Sequence, residues 1–278
     1  MTLVAVWRTE NRLMAIADTR IVRSEGNVLT EHGPKLLPIT IRGRQPGQSG
    51  FFDHLAFQFD IGFAYSGATL SALSTHALAS ALLGNLVGDT GNPPPSMNDI
   101  ATLVAGVAAE YMREVGQLSG SNALFSAIIF GFCRATKQFR GFEIRPRLNQ
   151  SQFDCEIFEQ DIQQNGSNVI IGSCPDLLRQ RIEADRLAKI ARGDTHPVLD
   201  IDRPTRALQT LIDDGVDPSV GGMIQQGWVT EAGFELVGIS RPITPRPPST
   251  RNAGLFVLGF DILDVQQVGR YMVSLAGR

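Results

Sequence analysis

Lysine is almost missing from this chain. Of its 25 basic residues only Lys35, Lys137 and Lys189 are lysines; the rest are arginines. A guanidinium stays protonated, whereas burial can lower the pKa of an ammonium, so each lysine is a candidate for a chemical role. Cysteine is scarce as well. Cys133, Cys155 and Cys174 are odd in number and far apart, which fits buried free thiols better than a disulfide frame. The four histidines, His32, His54, His76 and His196, lie scattered, and no Cys or His pair stands at metal-ligand spacing. Neither a metal nor a cofactor is expected. Excess charge is also lacking: the net charge is −3 with 19% charged residues, which argues against a nucleic-acid partner. No apolar run approaches the ~20 residues of a membrane span. The N-terminus lacks the basic start, apolar stretch and small-residue site of a signal peptide. The expectation is a soluble cytoplasmic protein that engages neither nucleic acid nor membrane.

With 278 residues, 43% of them hydrophobic, the chain can bury one large core or two modest ones. Two short apolar runs, 2–7 (TLVAVW) and 13–18 (LMAIAD), flank TENR and read as a hairpin buried on both faces. The run 35–41 predicts a third strand, 42–54 a polar loop, and 55–66 a return to strand. Helices are expected over 69–86 and from about Met97 to Gln117, the second opened by Ser96 with Asp99 in capping-box spacing. Strands follow at 123–133, 139–145, 153–158 and 168–173. A helix from Pro175 to about Arg192 and one from near Pro204 to Asp214 come next, then strands at 222–230 and 233–239. The stretch 241–251 is a proline-rich connector, and the tail reads as a strand followed by a short helix. Helices that come in consecutive pairs argue against an alternating βαβ sheet and favour two packed sheets with a helix pair outside each.

The chemistry begins at the N-terminus. Loss of Met1 would expose Thr2, which then carries a hydroxyl and a free α-amine on one residue. A hydroxyl needs a neighbouring base, and an α-amine with a pKa of about 7.7–8.0 can serve. The second apolar run ends in ADTR, so Asp18 and Arg20 can turn toward the strand beside Thr2; a strand-end ion pair is the plain alternative. Lys35 opens the third strand, where its cation would favour the deprotonated threonine oxygen and Asp18 would orient it.

An N-terminal TLVAV, then ADTR, then a lysine opening a strand resembles the proteasome β subunits, N-terminal-nucleophile hydrolases, and most of all their divergent bacterial (betaproteobacterial) homologues. The segments FAYSGA (63–68), GSC (172–174) and DPSVGGMI (217–224) agree in order, so the resemblance spans about residues 2–240. It implies an α+β fold, a four-layer αββα sandwich, over 1–240. The remaining 241–278 would be an extension packed on the same domain or on a neighbouring subunit. Thr2 matches the catalytic threonine, and Asp18 and Lys35 the pair that activates it. Gly67 matches the oxyanion-hole glycine, and Ser173 and Asp217 the groups that hold the α-amine. Arg20 matches a nearby structural arginine on the substrate side, and Tyr65 falls where the specificity pocket is lined and would make it shallower. Val220 departs from the pattern, standing where a second serine is usual; Ser219 beside it would point away if the chain there were extended. The implied activity is that of a threonine peptidase acting on polypeptides through an acyl-enzyme, in a homo-oligomeric ring or double ring, with any ATPase regulator left open. The alternatives are a non-proteolytic amidohydrolase and a catalytically silent ring-forming scaffold.

Overall fold

The TENR turn folds the first two strands back on each other, closed by a hydrogen bond from the Thr9 N–H to the Arg12 carbonyl at 2.9 Å. The computed structural model describes residues 2–23, 27–149, 152–193, 202–242, 253–257, 260–262, 267–268, 271–272 and 276–277. The hairpin strands are β1 (Leu3–Arg8) and β2 (Leu13–Asp18), followed by β3 (Ile21–Val22), β4 (Val28–Thr30), β5 (Leu36–Gln45) and β6 (His54–Gly67). Helix α1 (Thr69–Leu83), the short β7 (Leu86–Val87) and α2 (Met97–Ser119) come next. Strands β8 (Phe125–Cys133), β9 (Gln138–Asn149), β10 (Gln152–Gln160) and β11 (Asn168–Gly172) lead to α3 (Pro175–Ala191) and α4 (Arg203–Asp214). Strands β12 (Ile224–Val229), β13 (Phe234–Pro242), β14 (Ala253–Val257) and β15 (Phe260–Asp261) follow, and then β16 (Gln267–Val268), β17 (Tyr271–Met272) and β18 (Ala276–Gly277).

The fold is mixed α+β with two large sheets. One has the order β11-β1-β2-β12-β13-β14-β15, with β18 also on β13; the other runs β10-β9-β8-β6-β5-β7. Alternation along β1 and β2 explains why both strands are apolar throughout. Val4, Val6, Leu13, Ala15 and Ala17 meet Leu36, Ala64, Ile128 and Phe130 of the second sheet. Leu3, Ala5, Trp7, Met14 and Ile16 instead pack with Leu178 of α3 and Leu208 and Leu211 of α4. On the second sheet, Ile39, Ile41, Ile61 and Phe63 pack with residues of α1 and α2. Each large apolar side chain so buried contributes roughly 1.5–3 kcal/mol. Helix α2 buries Met97, Ile100, Ala101, Val104, Ala108 and Met112 at helical spacing. Its capping box is present: the Asp99 N–H donates to Ser96 Oγ at 3.2 Å and the Ser96 N–H to Asp99 Oδ2 at 2.9 Å.

Several expected boundaries are corrected. The loop at 42–54 shrinks to 46–53, because β5 continues to Gln45 and β6 starts at His54. Gly43 allows this extension: a Cβ there would lie 2.2 Å from the Phe57 ring on the neighbouring strand. Helix α1 stops at Leu83 with Gly84 as its C-cap, and Leu86–Val87 pairs with β5 instead of extending the helix. The tail has no helix among its described residues; short strands replace it, β14 pairing with β13. The stretch 194–201 between α3 and α4 and most of the proline-rich connector lie outside the described residues. No described helix is long and apolar enough to cross a membrane.

Candidate active site

Asp18 is the hub. It ends β2, is completely buried, and accepts four hydrogen bonds. The Leu3 N–H reaches its Oδ1 at 2.9 Å, while Lys35 Nζ at 2.9 Å, the Gly221 N–H at 3.0 Å and the Arg20 N–H at 3.3 Å reach Oδ2. The Leu3 amide directly follows Thr2, so the carboxylate binds the N-terminal strand to Lys35. The ion pair itself is sealed from water, with side-chain exposures of 1% for Lys35 and 0% for Asp18. Burial lowers the Lys35 pKa from its ordinary value, against the pull of Asp18. The same burial raises the Asp18 carboxyl, opposed by Lys35 and by the N–H groups of Leu3 and Gly221. A lysine held in this way can give up its proton nearer neutral pH than an exposed one.

Lys35 is positioned by a residue that sequence reading missed. Gln225, buried on β12, accepts the N–H groups of Lys35 and Leu36 on its Oε1 at 3.0 and 2.9 Å and donates to the Gly33 carbonyl at 2.6 Å. Tyr65 is wholly buried and donates its hydroxyl to the Pro34 carbonyl at 2.9 Å. Burial pushes its phenol up to about 12. Tyr65 thus stands behind the Lys35 strand and lines neither of the two cavities described below.

Thr2 is held by its carbonyl. That oxygen accepts the Ser173 N–H at 3.0 Å and Ser66 Oγ at 3.2 Å, with Ser173 Oγ at 3.4 Å. Gly172 makes the approach possible: its φ is +129°, and a Cβ on it would stand 1.9 Å from the Thr2 oxygen. Thr2 itself is 2% exposed. Met1 lies outside the described residues.

Ser173 also leads to the acidic turn. Ser219 Oγ donates to Asp217 Oδ1 at 2.6 Å, and the Ser173 and Ser219 hydroxyl oxygens are 3.1 Å apart. Each hydroxyl has one proton, and that of Ser219 goes to the carboxylate. The Ser173 proton is shared between Ser219 Oγ and the more distant Thr2 carbonyl, which leaves the Ser173 lone pairs to accept from an amine. Burial raises the Asp217 carboxyl, but the Ser219 hydroxyl and N–H outweigh it, and the net pKa falls below the ordinary value. Here the expected orientation is corrected. Residues 217–220 form a turn closed by the Val220 N–H on the Asp217 carbonyl at 3.0 Å, so Ser219 faces Ser173 and Val220 faces the core. A hydroxyl thus stands beside Ser173 although residue 220 is a valine. Arg20 clamps the same turn, donating to the Pro218 carbonyl at 3.0 Å while its Nε pairs with Glu31 at 3.0 Å.

Gly67 ends β6 with φ +114°, and a Cβ there would lie 2.6 Å from the Leu124 carbonyl. It borders two cavities. One, of ≈ 650 Å³, opens beside Ser66 and Gly172; the other, of ≈ 660 Å³, opens beside the start of α1 and Ser219. Among the described residues no cluster of three or more His, Cys, Asp or Glu is placed to hold a metal ion. The three cysteines are free, Cys133 buried and the others half-buried.

No known protein-family profile matches the chain, and no curated protein matches it. Solved structures do resemble it. An Anbu (Gly-1) mutant from Hyphomicrobium sp. strain MC1 is 18% identical with a TM-score of 0.51, covering 85% of this chain and 84% of that one. The Anbu complex from Pseudomonas aeruginosa, solved as a helical assembly, is 17% identical with a TM-score of 0.54, covering 85% and 87%. At such identity the likeness speaks for the fold: this chain folds as the proteasome-like Anbu proteins do.

Proposed function

We propose that the chain is a threonine peptidase of the N-terminal-nucleophile type. The observation that carries this reading is the buried Asp18–Lys35 pair, fastened through the Leu3 N–H to the residue that follows Thr2. Once Thr2 is N-terminal, its nitrogen changes from an amide into an amine able to accept a proton. Thr2 Oγ then attacks the scissile carbonyl, and its proton passes to the α-amine. Lys35 stabilises the oxygen as it loses that proton, and Ser173, backed by Ser219 and Asp217, accepts a hydrogen bond from the amine. The Gly67 N–H is assigned to the developing oxyanion. Collapse of the tetrahedral intermediate, with the α-ammonium passing its proton to the leaving nitrogen, releases the amine half of the substrate and restores the α-amine. Water, activated by the same α-amine, then hydrolyses the ester on Thr2.

The architecture proposed for this activity is the four-layer αββα sandwich over 1–240. It is supported by the helix pairs α1–α2 and α3–α4 packing with different sheets. Residues 241–278 form the extension, and β14 on β13 favours packing on the same domain. The helical assembly of the Pseudomonas aeruginosa relative supports a homo-oligomer, for which we propose a ring or double ring acting on polypeptides in the cytoplasm. With Ser219 on the acidic turn, the silent-scaffold alternative loses its main motive.

The test is chemical. A peptide epoxyketone should close a ring across the oxygen and nitrogen of Thr2, which requires both atoms free on one residue. Intact mass and peptide mapping after incubation should show one adduct, doubly attached at Thr2. Modification elsewhere with Thr2 untouched would overturn the proposal.

A further inference from the structure

The two cavities that meet at Gly67 differ in charge. The one beside Gly172 has two acids and two arginines in its wall, paired as Glu143 with Arg145 and Asp176 with Arg179. Its charges cancel locally. The cavity beside α1 has Arg23 as its one charged lining residue, and no carboxylate, among the described residues. Part of its wall is the first turn of α1, Thr69, Leu70 and Ser71. That helix starts without a side-chain cap on Ala68 and without an acidic residue in its first turn. The first i→i−4 bond is made by the Ala72 N–H to the Ala68 carbonyl at 3.0 Å, so the N–H groups of Thr69, Leu70 and Ser71 have no intrahelical acceptor. Helix α2, by contrast, closes its N-terminus with its own Ser96 and Asp99. The open end of α1 thus carries uncompensated positive character at the cavity.

A second observation is independent of the helix end. Ser71 lines this cavity and is wholly buried, and its Oγ has no hydrogen-bond partner. Buried hydroxyls are nearly always satisfied, so an orphan beside open amide donors marks a place for an acceptor. Ser219, also in the wall of this cavity, connects it to Ser173 and Thr2.

We infer that this cavity is a carboxylate subsite. Resting on the reading of Thr2 as a peptidase nucleophile, it makes the favoured substrates peptides with an acidic residue on the acyl side of the scissile bond. The carboxylate accepts from the first-turn amides and from Ser71, Arg23 supplies the counter-charge, and Ile21 and Leu29 cover the methylenes of the acidic side chain. Glutamine keeps the shape of glutamate but not its charge, so the two should differ about tenfold.

The experiment has two arms. In the first, kcat/KM is compared for matched fluorogenic peptides with Glu or Gln before the scissile bond, using the mature wild type. In the second, the Thr2→Ala protein is titrated by ligand-observed NMR with N-acetylglutamate α-amide and with N-acetylglutamine α-amide, which needs no turnover. Both arms should favour Glu about tenfold, less at high salt. The preference should approach parity in Ser71→Ala/Arg23→Gln. It should reverse in Leu70→Glu, which sets a carboxylate at the same helix start from a position that is 67% exposed. Binding selectivity without turnover would support the subsite and sink the peptidase reading. Turnover with equal use of Glu and Gln, and equal binding, would sink the subsite and leave the peptidase reading standing. A preference for Glu that survives unchanged in both variants would also overturn the assignment.

Discussion

Asp18 and Lys35 can be removed one at a time and then together. Lys35→Met leaves a buried carboxylate that still holds the Leu3 and Gly221 N–H groups at 2.9 and 3.0 Å. The loss should therefore sit near the low end of the ~3–5 kcal/mol typical of breaking a buried pair. Asp18→Asn leaves the ammonium without its carboxylate, and one of its oxygen positions becomes an NH2 that faces a backbone N–H. This variant should lose about 4–5 kcal/mol. The double variant removes both charges, leaving mainly the backbone donors poorly satisfied. It should lose about 5 kcal/mol, well short of the sum, for a coupling of roughly 2–3 kcal/mol. Neither side chain is solvent-exposed, so screening does not reduce these values. Urea unfolding at pH 7, with the m-value constant across the four proteins, measures the cycle. Additivity to within about 0.5 kcal/mol would refute the coupled buried pair, and with it the oxygen-stabilising role given to Lys35.

Other outcomes follow from the same geometry. Lys35→Arg should keep the fold but abolish turnover, because a broad planar guanidinium cannot take the place of the compact ammonium between Asp18 and the Thr2 oxygen; a near wild-type kcat would remove Lys35 from the mechanism. Gly172→Ala should cost activity and lower the melting temperature by several degrees, since its Cβ would fall 1.9 Å from the Thr2 carbonyl oxygen; unchanged melting would contradict the clamp. Ser219→Ala should cut kcat about tenfold and raise the Asp217 pKa toward its ordinary value. A lowered carboxyl pKa gives stability that is complete above the unfolded value, about 3.9, and is lost as pH falls through the folded value. The wild-type advantage over Ser219→Ala should therefore be full near neutral pH and shrink in acid, as read by unfolding between pH 7 and pH 2. Ser96→Ala should cost about 1 kcal/mol by opening the capping box of α2 while leaving kcat unchanged.

Elements whose cause is local were legible in the sequence. The hairpin follows from two doubly apolar runs around TENR, and the α2 start from Ser96 and Asp99, each a few residues in extent. The Asp18–Lys35 pair was legible too, because a strand-ending acid and a rare lysine stand out by composition. What stayed hidden depends on the path of the chain in space. An alternating pattern assumed through 217–220 sends Ser219 away from the site, whereas the Asp217–Val220 turn swings it inward. The polarity of Arg42 and Arg44 masked the continuation of β5, which rests on the fit of Gly43 against Phe57. Gln225 gave no local signal at all. Its importance comes from three hydrogen bonds made 189 to 192 residues away in sequence.

The grip on Thr2 separates the assembly of the site from the release of its nitrogen. Its carbonyl is gripped by Ser173 and Ser66, and the amide after it by Asp18, and none of these groups changes when a residue ahead of Thr2 is removed. The folded site is thus assembled whether or not the nucleophile has been freed. Under the proposed mechanism, a freed Thr2 nitrogen therefore meets groups already in place, and its exposure asks for no rearrangement of the site.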